Sequence, residues 1–186
     1  MAFEGFSEQT IDFLYGIFFQ NERLWFAAHK DEYLTHLQRP MKALADETFQ
    51  RLTALYPRKD LVCRVARIYR DARRLHGRGP YKDHLWLTIS QPAERWACLP
   101  TFWFELMPEG WSYGMGYWMP KPATMAKLRA RVTRDPKTME QLTRKLAGQA
   151  EFTLETQDYK RPRCAAPSVV LEHWFQAHSF TLLHQE

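Results

Sequence analysis

Along the first 55 positions, apolar residues recur every three or four places, and after Pro57 they crowd into short aromatic and β-branched runs. That change of period predicts helices first and strands afterwards. Ser7 is placed to cap a first helix with Ile11, Leu14, Tyr15 and Phe18 on one face. Asn21 breaks it and caps a second helix running towards Arg39, which stops before Pro40 because a residue preceding proline avoids the α region. A third, with Met41, Leu44, Ala45, Leu52 and Leu55 inward, ends at Tyr56-Pro57.

The runs HLWLTIS, LPTFWFELM and WSYGMGYWM read as neighbouring antiparallel strands separated by the turns QPAE and PEG. In the third, Trp111, Tyr113, Met115, Tyr117 and Met119 share an aromatic face, expected to be core. Ser112, Gly114, Gly116 and Trp118 share a small-residue face, where glycines mark a bulge or the close approach of a ligand or another backbone. A helix follows over about Thr124 to Arg134, and Asp135-Pro136 starts another that ends at Gly148. EFTLET is a further strand, YKRPRCAAP a loop, and SVVLEHWFQAH a last helix capped by Ser168. The segregation of helices and strands predicts an α+β fold: a single domain, its N-terminal helices packed on a mainly antiparallel sheet, with further C-terminal helices.

One stretch fits two patterns. In RVARIYRDARRLHGRGPYKDH (Arg64–His84), Leu61, Val65, Ile68, Ala72 and Leu75 suit an amphipathic helix. The same residues suit a strand over Leu61–Arg70 followed by a loop, which Gly77, Gly79 and Pro80 favour.

Charge makes that stretch more unusual. The 186 residues carry 26 basic and 21 acidic side chains, a net charge of +5. Seven of the basic and two of the acidic ones lie between Arg64 and His84, so this stretch alone carries +5 and the remainder is balanced. A uniformly basic nucleic-acid coat is excluded. Hydrophobic residues at 45% exclude a disordered chain. Cys63, Cys98 and Cys164 are odd in number and far apart, which suggests neither disulfides nor a zinc site. The histidines are scattered without metal-ligand spacing, so no metal or cofactor is expected. The opening MAFEGFSEQ lacks the form of a signal peptide and FLYGIFF is too short to span a bilayer. A cytoplasmic setting without membrane contact is therefore expected; the sequence leaves the oligomeric state open.

Guanidinium groups bind carboxylate or phosphate through a planar fork of donors. Crowded arginines therefore point to a small anionic ligand held by Arg67, Arg70, Arg73 and Lys82, with Tyr81 projecting beside them after Pro80. An enzyme acting on that ligand would move protons with Asp71, Tyr69, Tyr81, His84 or His29. Two alternatives stay open. The arginines pair with carboxylates of the helical layer and serve structure alone, or the same segment binds nucleic acid with aromatic stacking.

Arg67-Ile68-Tyr69-Arg70-Asp71-x-Arg73, Pro80-Tyr81-Lys82 and His84 together resemble the central motif of a bacterial and fungal family called domain of unknown function 2461. Gly5-Phe6, Asn21-x-Arg23-x-Trp25-Phe26, His29-Lys30, Tyr33, Gly114-x-Gly116, Pro120, Pro122, Leu128-Arg129 and Tyr159-Lys160-Arg161-Pro162 match it in order along nearly the whole chain. The resemblance adds Trp25, Lys30, Arg129, Lys160 and Arg161 to the candidate binding residues and implies no particular reaction. The chain departs from the family where Arg74-Leu75 replaces Phe-Ser and where His76, Gly77, Arg78 and Gly79 follow, so chemistry relying on that serine has no counterpart here.

Overall fold

A computed structural model describes residues 2–75, 77–92, 99–117, 119–161 and 164–186. His76, Cys98, Trp118 and Pro162, and Ala93-Glu94 of the QPAE turn, lie outside them, as does the side chain of Arg74.

The helices are α1 (Glu8–Phe19), α2 (Arg23–Ala28), α3 (Lys30–Glu32), α4 (Arg39–Leu55), α5 (Pro122–Arg134), α6 (Pro136–Ala147) and α7 (Glu172–Gln176). The strands are β1 (Val62–Val65), β2 (Leu85–Ser90), β3 (Thr101–Met107), β4 (Gly110–Gly116), β5 (Thr153–Asp158) and β6 (Ala177–Gln185). They form an antiparallel sheet in the order β1-β2-β3-β4-β6-β5. The fold is α+β, and among the described residues no helix is long and apolar enough to cross a membrane. Backbone contacts divide the chain into two compact units, one holding residues 1–89 and 103–112 with Glu186, the other 90–102 and 113–185.

In the first unit, the face α1 buries is Thr10, Phe13, Leu14 and Ile17. The expected face is rotated, leaving Phe18 at 49% exposure. The last turns of α1 are apolar nearly all round, so periodicity alone does not fix which side turns inward. Ser7 caps as expected, in a box with Thr10. The chain does not stop before Pro40. It passes from α3 through a π-helical segment, Tyr33–Gln38, into α4, with the proline in the first turn of α4. A proline has no N–H for the carbonyl four residues back. That carbonyl, on His36, accepts instead from the buried Thr10 hydroxyl at 2.6 Å. Farther along α4, Met41 and Ala45 are buried as expected, whereas Leu55 is 67% exposed. Ile68, Leu85, Leu87 and Ile89 complete this core.

The second unit buries Met125 and Val132 of α5 with Leu171, Trp174, Phe175 and Phe180. Asp135 caps α6 by accepting from the Thr138 N–H at 3.3 Å. The bonds from Thr138 hold its carboxyl below the usual range. Two expectations need correction. The last helix is only a 3-10 turn, Val169–Leu171, followed by α7, and the Ser168 hydroxyl bonds to Glu140 instead of capping it. Ala177-His178 then opens β6, paired antiparallel to β5 from Thr153↔Leu183 to Asp158↔Ala177. Aromatic residues read as a helical stripe mask the start of that strand.

In β4 it is Ser112, Gly114 and Gly116 that are buried, with Trp111, Tyr113 and Met115 half-buried. The aromatic face is therefore not the buried one. A side chain on Gly116 would meet the Phe180 carbonyl of β6 at 2.5 Å, so the close approach there is by a neighbouring strand's backbone.

Candidate anion-binding cleft

The strand reading of Leu61–Arg70 holds in part. β1 ends at Val65, and the chain then runs on beside the segment preceding β2. Ala66 donates to the Trp86 carbonyl, Lys82 to that of Ile68 and Arg70 to that of Pro80, each at 2.8 Å, while Tyr69 and Tyr81 form an antiparallel bridge. Ile68 is 1% exposed and pins this ribbon to the core. Between its arms, Asp71 accepts from the Arg73 N–H at 3.1 Å and caps a 3-10 turn, Ala72–Arg74. Gly77, at φ +80°, supplies the left-handed residue that reverses the loop.

Asn21 clamps the second arm and does not cap α2. Its amide donates to the Tyr81 carbonyl at 3.0 Å and accepts from the Tyr81 N–H at 2.9 Å. A side chain at Gly79 would collide with it, which accounts for the glycine. The Tyr81 ring, turned to the core, stacks on Phe26 with centroids 4.1 Å apart. Burial is the main cause that raises its hydroxyl pKa.

This ribbon lines a cleft of about 620 Å³ whose walls include Arg64, Arg67, Tyr69, Arg70, Asp71, Arg73, Lys82 and Trp86. Five cations thus face one carboxylate. Arg73 grips that carboxylate with both ends of its fork, Nε to Asp71 Oδ1 at 3.0 Å and a terminal nitrogen to Oδ2 at 2.8 Å. Arg70 is largely buried; its Nε donates to the Tyr81 carbonyl at 2.5 Å, and a terminal nitrogen meets Asp83 Oδ1 at 3.1 Å. The expected structural pairing thus exists for Arg70, but its partner comes from the same ribbon, not the helical layer. Lys82 donates to the Arg67 carbonyl, and its ammonium sits 4.6 Å from the centre of the Trp86 ring. Burial, then the charges of Arg70 and Arg67, lower its pKa. Among the described residues, no carboxylate lies in ion-pair range of Arg64, Arg67 or Lys82.

Of the expected proton-transfer residues, Tyr69 and Asp71 line the cleft. His84 stands behind its wall. Nδ1 is 2.9 Å from Asp83 Oδ1, Nε2 is 3.8 Å from Glu105, and its ring stacks on Trp86 at 5.3 Å. Trp25, His29 and Lys30 are not among the lining residues. Trp25 and His29 stack on each other at 4.1 Å, and His29 Nδ1 bonds to the Trp25 carbonyl at 2.8 Å, a pairing internal to the helix. Arg129, Lys160 and Arg161 belong to the second unit. There Arg129 donates to the Ala177 carbonyl at 3.4 Å and lies 5.8 Å from the Tyr159 ring, while Lys160 and Arg161 are exposed.

Sequence reasoning passed over Asp83, Glu105, Trp86 and Asn21 as site residues. Asp83 was legible as the second carboxylate within the basic stretch. Asn21 had no such signal, since its partner is 60 positions away.

Residues 9–186 match the model of a family described as conserved hypothetical protein (DUF2461), and the chain belongs to that family. No curated protein matches it.

Proposed function

We propose that this member of the DUF2461 family binds a small anionic ligand, bearing phosphate or carboxylate, in the cleft lined by the ribbon of β1, its continuation and the segment leading into β2. The observation that carries the reading is the set of three cations, Arg64, Arg67 and Lys82, that line the cleft without a carboxylate partner among the described residues. Like charges held together cost free energy unless an anion sits among them; the Lys82 pKa is lowered chiefly by burial and then by the charges of Arg70 and Arg67. Arg70 is anchored on Asp83 and the Tyr81 carbonyl, and so fixes the cleft wall while adding to its field. A volume of about 620 Å³ falls within the range of small-molecule sites and favours a compact ligand over an extended polymer.

Thermal unfolding of the full chain across a series of anions tests this at constant ionic strength. Stabilisation by inorganic phosphate or citrate that saturates and is lost in Arg67→Ala supports the reading. No shift with any anion, or a shift equal to that from sodium chloride, overturns it. Oligonucleotide binding that weakens steeply with salt, without small-anion binding, favours the nucleic-acid alternative.

A further inference from the structure

Building on that reading, we infer that the ligand of this cleft carries two linked phosphates and a planar ring, the chemistry of a nucleoside diphosphate. Charge is the first ground. Asp71 neutralises Arg73 and Asp83 neutralises Arg70, so among the described residues the lining cations without a carboxylate partner are Arg64, Arg67 and Lys82. One phosphate carries at most two charges near neutral pH, whereas a nucleoside diphosphate carries about three.

Spacing agrees with charge. Arg67 and Lys82 are neighbours, since the Lys82 ammonium bonds to the Arg67 carbonyl. Arg64 lies three residues back along the chain, which in extended backbone is about 10 Å. One phosphate between Arg67 and Lys82 leaves Arg64 to a second group farther along the cleft.

The ring follows from Tyr69. It lines the cleft and is 53% exposed, although large aromatic rings are ordinarily drawn inward. Phe26 at 5.7 Å and Tyr81 at 5.3 Å brace it from the core side, so it offers its outer surface in a fixed position. The other aromatic of the lining, Trp86, already carries the Lys82 ammonium over its ring. A base stacked on Tyr69, with its diphosphate reaching Lys82, Arg67 and Arg64, uses the exposed ring and the lining cations that lack a carboxylate partner among the described residues.

Calorimetric titration of the full chain with inorganic phosphate, pyrophosphate and ADP, at one ionic strength, tests the inference. Pyrophosphate is expected to bind at least about tenfold more tightly than phosphate, and ADP several-fold more tightly again. Arg64→Ala should abolish the advantage of pyrophosphate over phosphate. Tyr69→Ala should abolish that of ADP over pyrophosphate, and Tyr69→Leu, which keeps apolar contact with Phe26 and Tyr81, repeats the test if the alanine variant misfolds. Equal binding of phosphate and pyrophosphate, or an ADP advantage that survives both Tyr69 substitutions, overturns the inference while the anion-site reading stands. Failure of all three to bind overturns the inference, and failure of citrate as well overturns both.

Discussion

Arg129 in the second unit donates to a main-chain carbonyl and lies against the Tyr159 ring, and Lys160 and Arg161 beside that ring reach outwards. In the first unit Arg64, Arg67 and Lys82 share a concave surface and have no carboxylate partner among the described residues. Both regions hold cations, and in the first they line a concavity. Cation count is therefore a weak sign of a site. The informative quantity is which cations lack a carboxylate partner and also share a concave surface. The Arg64–His84 stretch makes the same point internally: Arg70 and Arg73 are closed by Asp83 and Asp71, while Arg64 and Arg67 have no carboxylate partner among the described residues.

The comparison breaks most readily at Arg70. Arg70→Met leaves the Asp83 carboxylate with His84 alone and removes a donor from the Tyr81 carbonyl, both half-buried or better. Loss of about 2–3 kcal/mol is expected by denaturant titration, against less than about 1 kcal/mol for Arg129→Ala, whose bond is long. Equal losses would erase the distinction between the two regions.

Next comes the clamp. Asn21→Ala removes two bonds to Tyr81, for a loss of about 1–2 kcal/mol, and frees the arm that carries Lys82. Weaker phosphate binding should accompany it, and Gly79→Ala should behave alike because its side chain displaces Asn21. A stability loss with undiminished phosphate affinity would confine Asn21 to folding.

A smaller effect is expected from pH. The folded chain holds the Lys82 ammonium less readily than the unfolded chain does, chiefly because it is buried and then because Arg70 and Arg67 lie nearby. Between the lowered value and the ordinary value near 10.5, the unfolded state binds the extra proton, so stability rises with pH there. Phosphate affinity runs the other way and should weaken as pH rises through that window. In Lys82→Met both dependences should flatten, which calorimetry and unfolding across alkaline pH would reveal. The smallest change belongs to Arg73→Ala. This pair with Asp71 is solvent-exposed, so the melting temperature should barely move.

Much of the fold was legible in residue order. Ser7, Asp135-Pro136 and the runs in β2, β3 and β5 act through neighbours a few positions away, and sequence patterns record such neighbours. The side of α1 that turns inward, the burial of the glycine face of β4 and the strand after Trp174-Phe175 depend on partners distant in the chain. In the site, Arg67, Arg70, Arg73 and Lys82 stood out by density. Whether each was paired did not, because Asp71 and Asp83 choose among several nearby arginines only once the ribbon has formed. Trp25 and His29 shared a helical spacing that proved to serve their own stacking.

The most direct measurement compares phosphate affinity in Arg67→Ala and Arg129→Ala by calorimetry at one ionic strength. About a tenfold loss in Arg67→Ala, equivalent to about 1.4 kcal/mol, with wild-type affinity in Arg129→Ala, is the expected result. Equal affinity in all three proteins, or binding in none, would contradict an anion site at the unpaired cations.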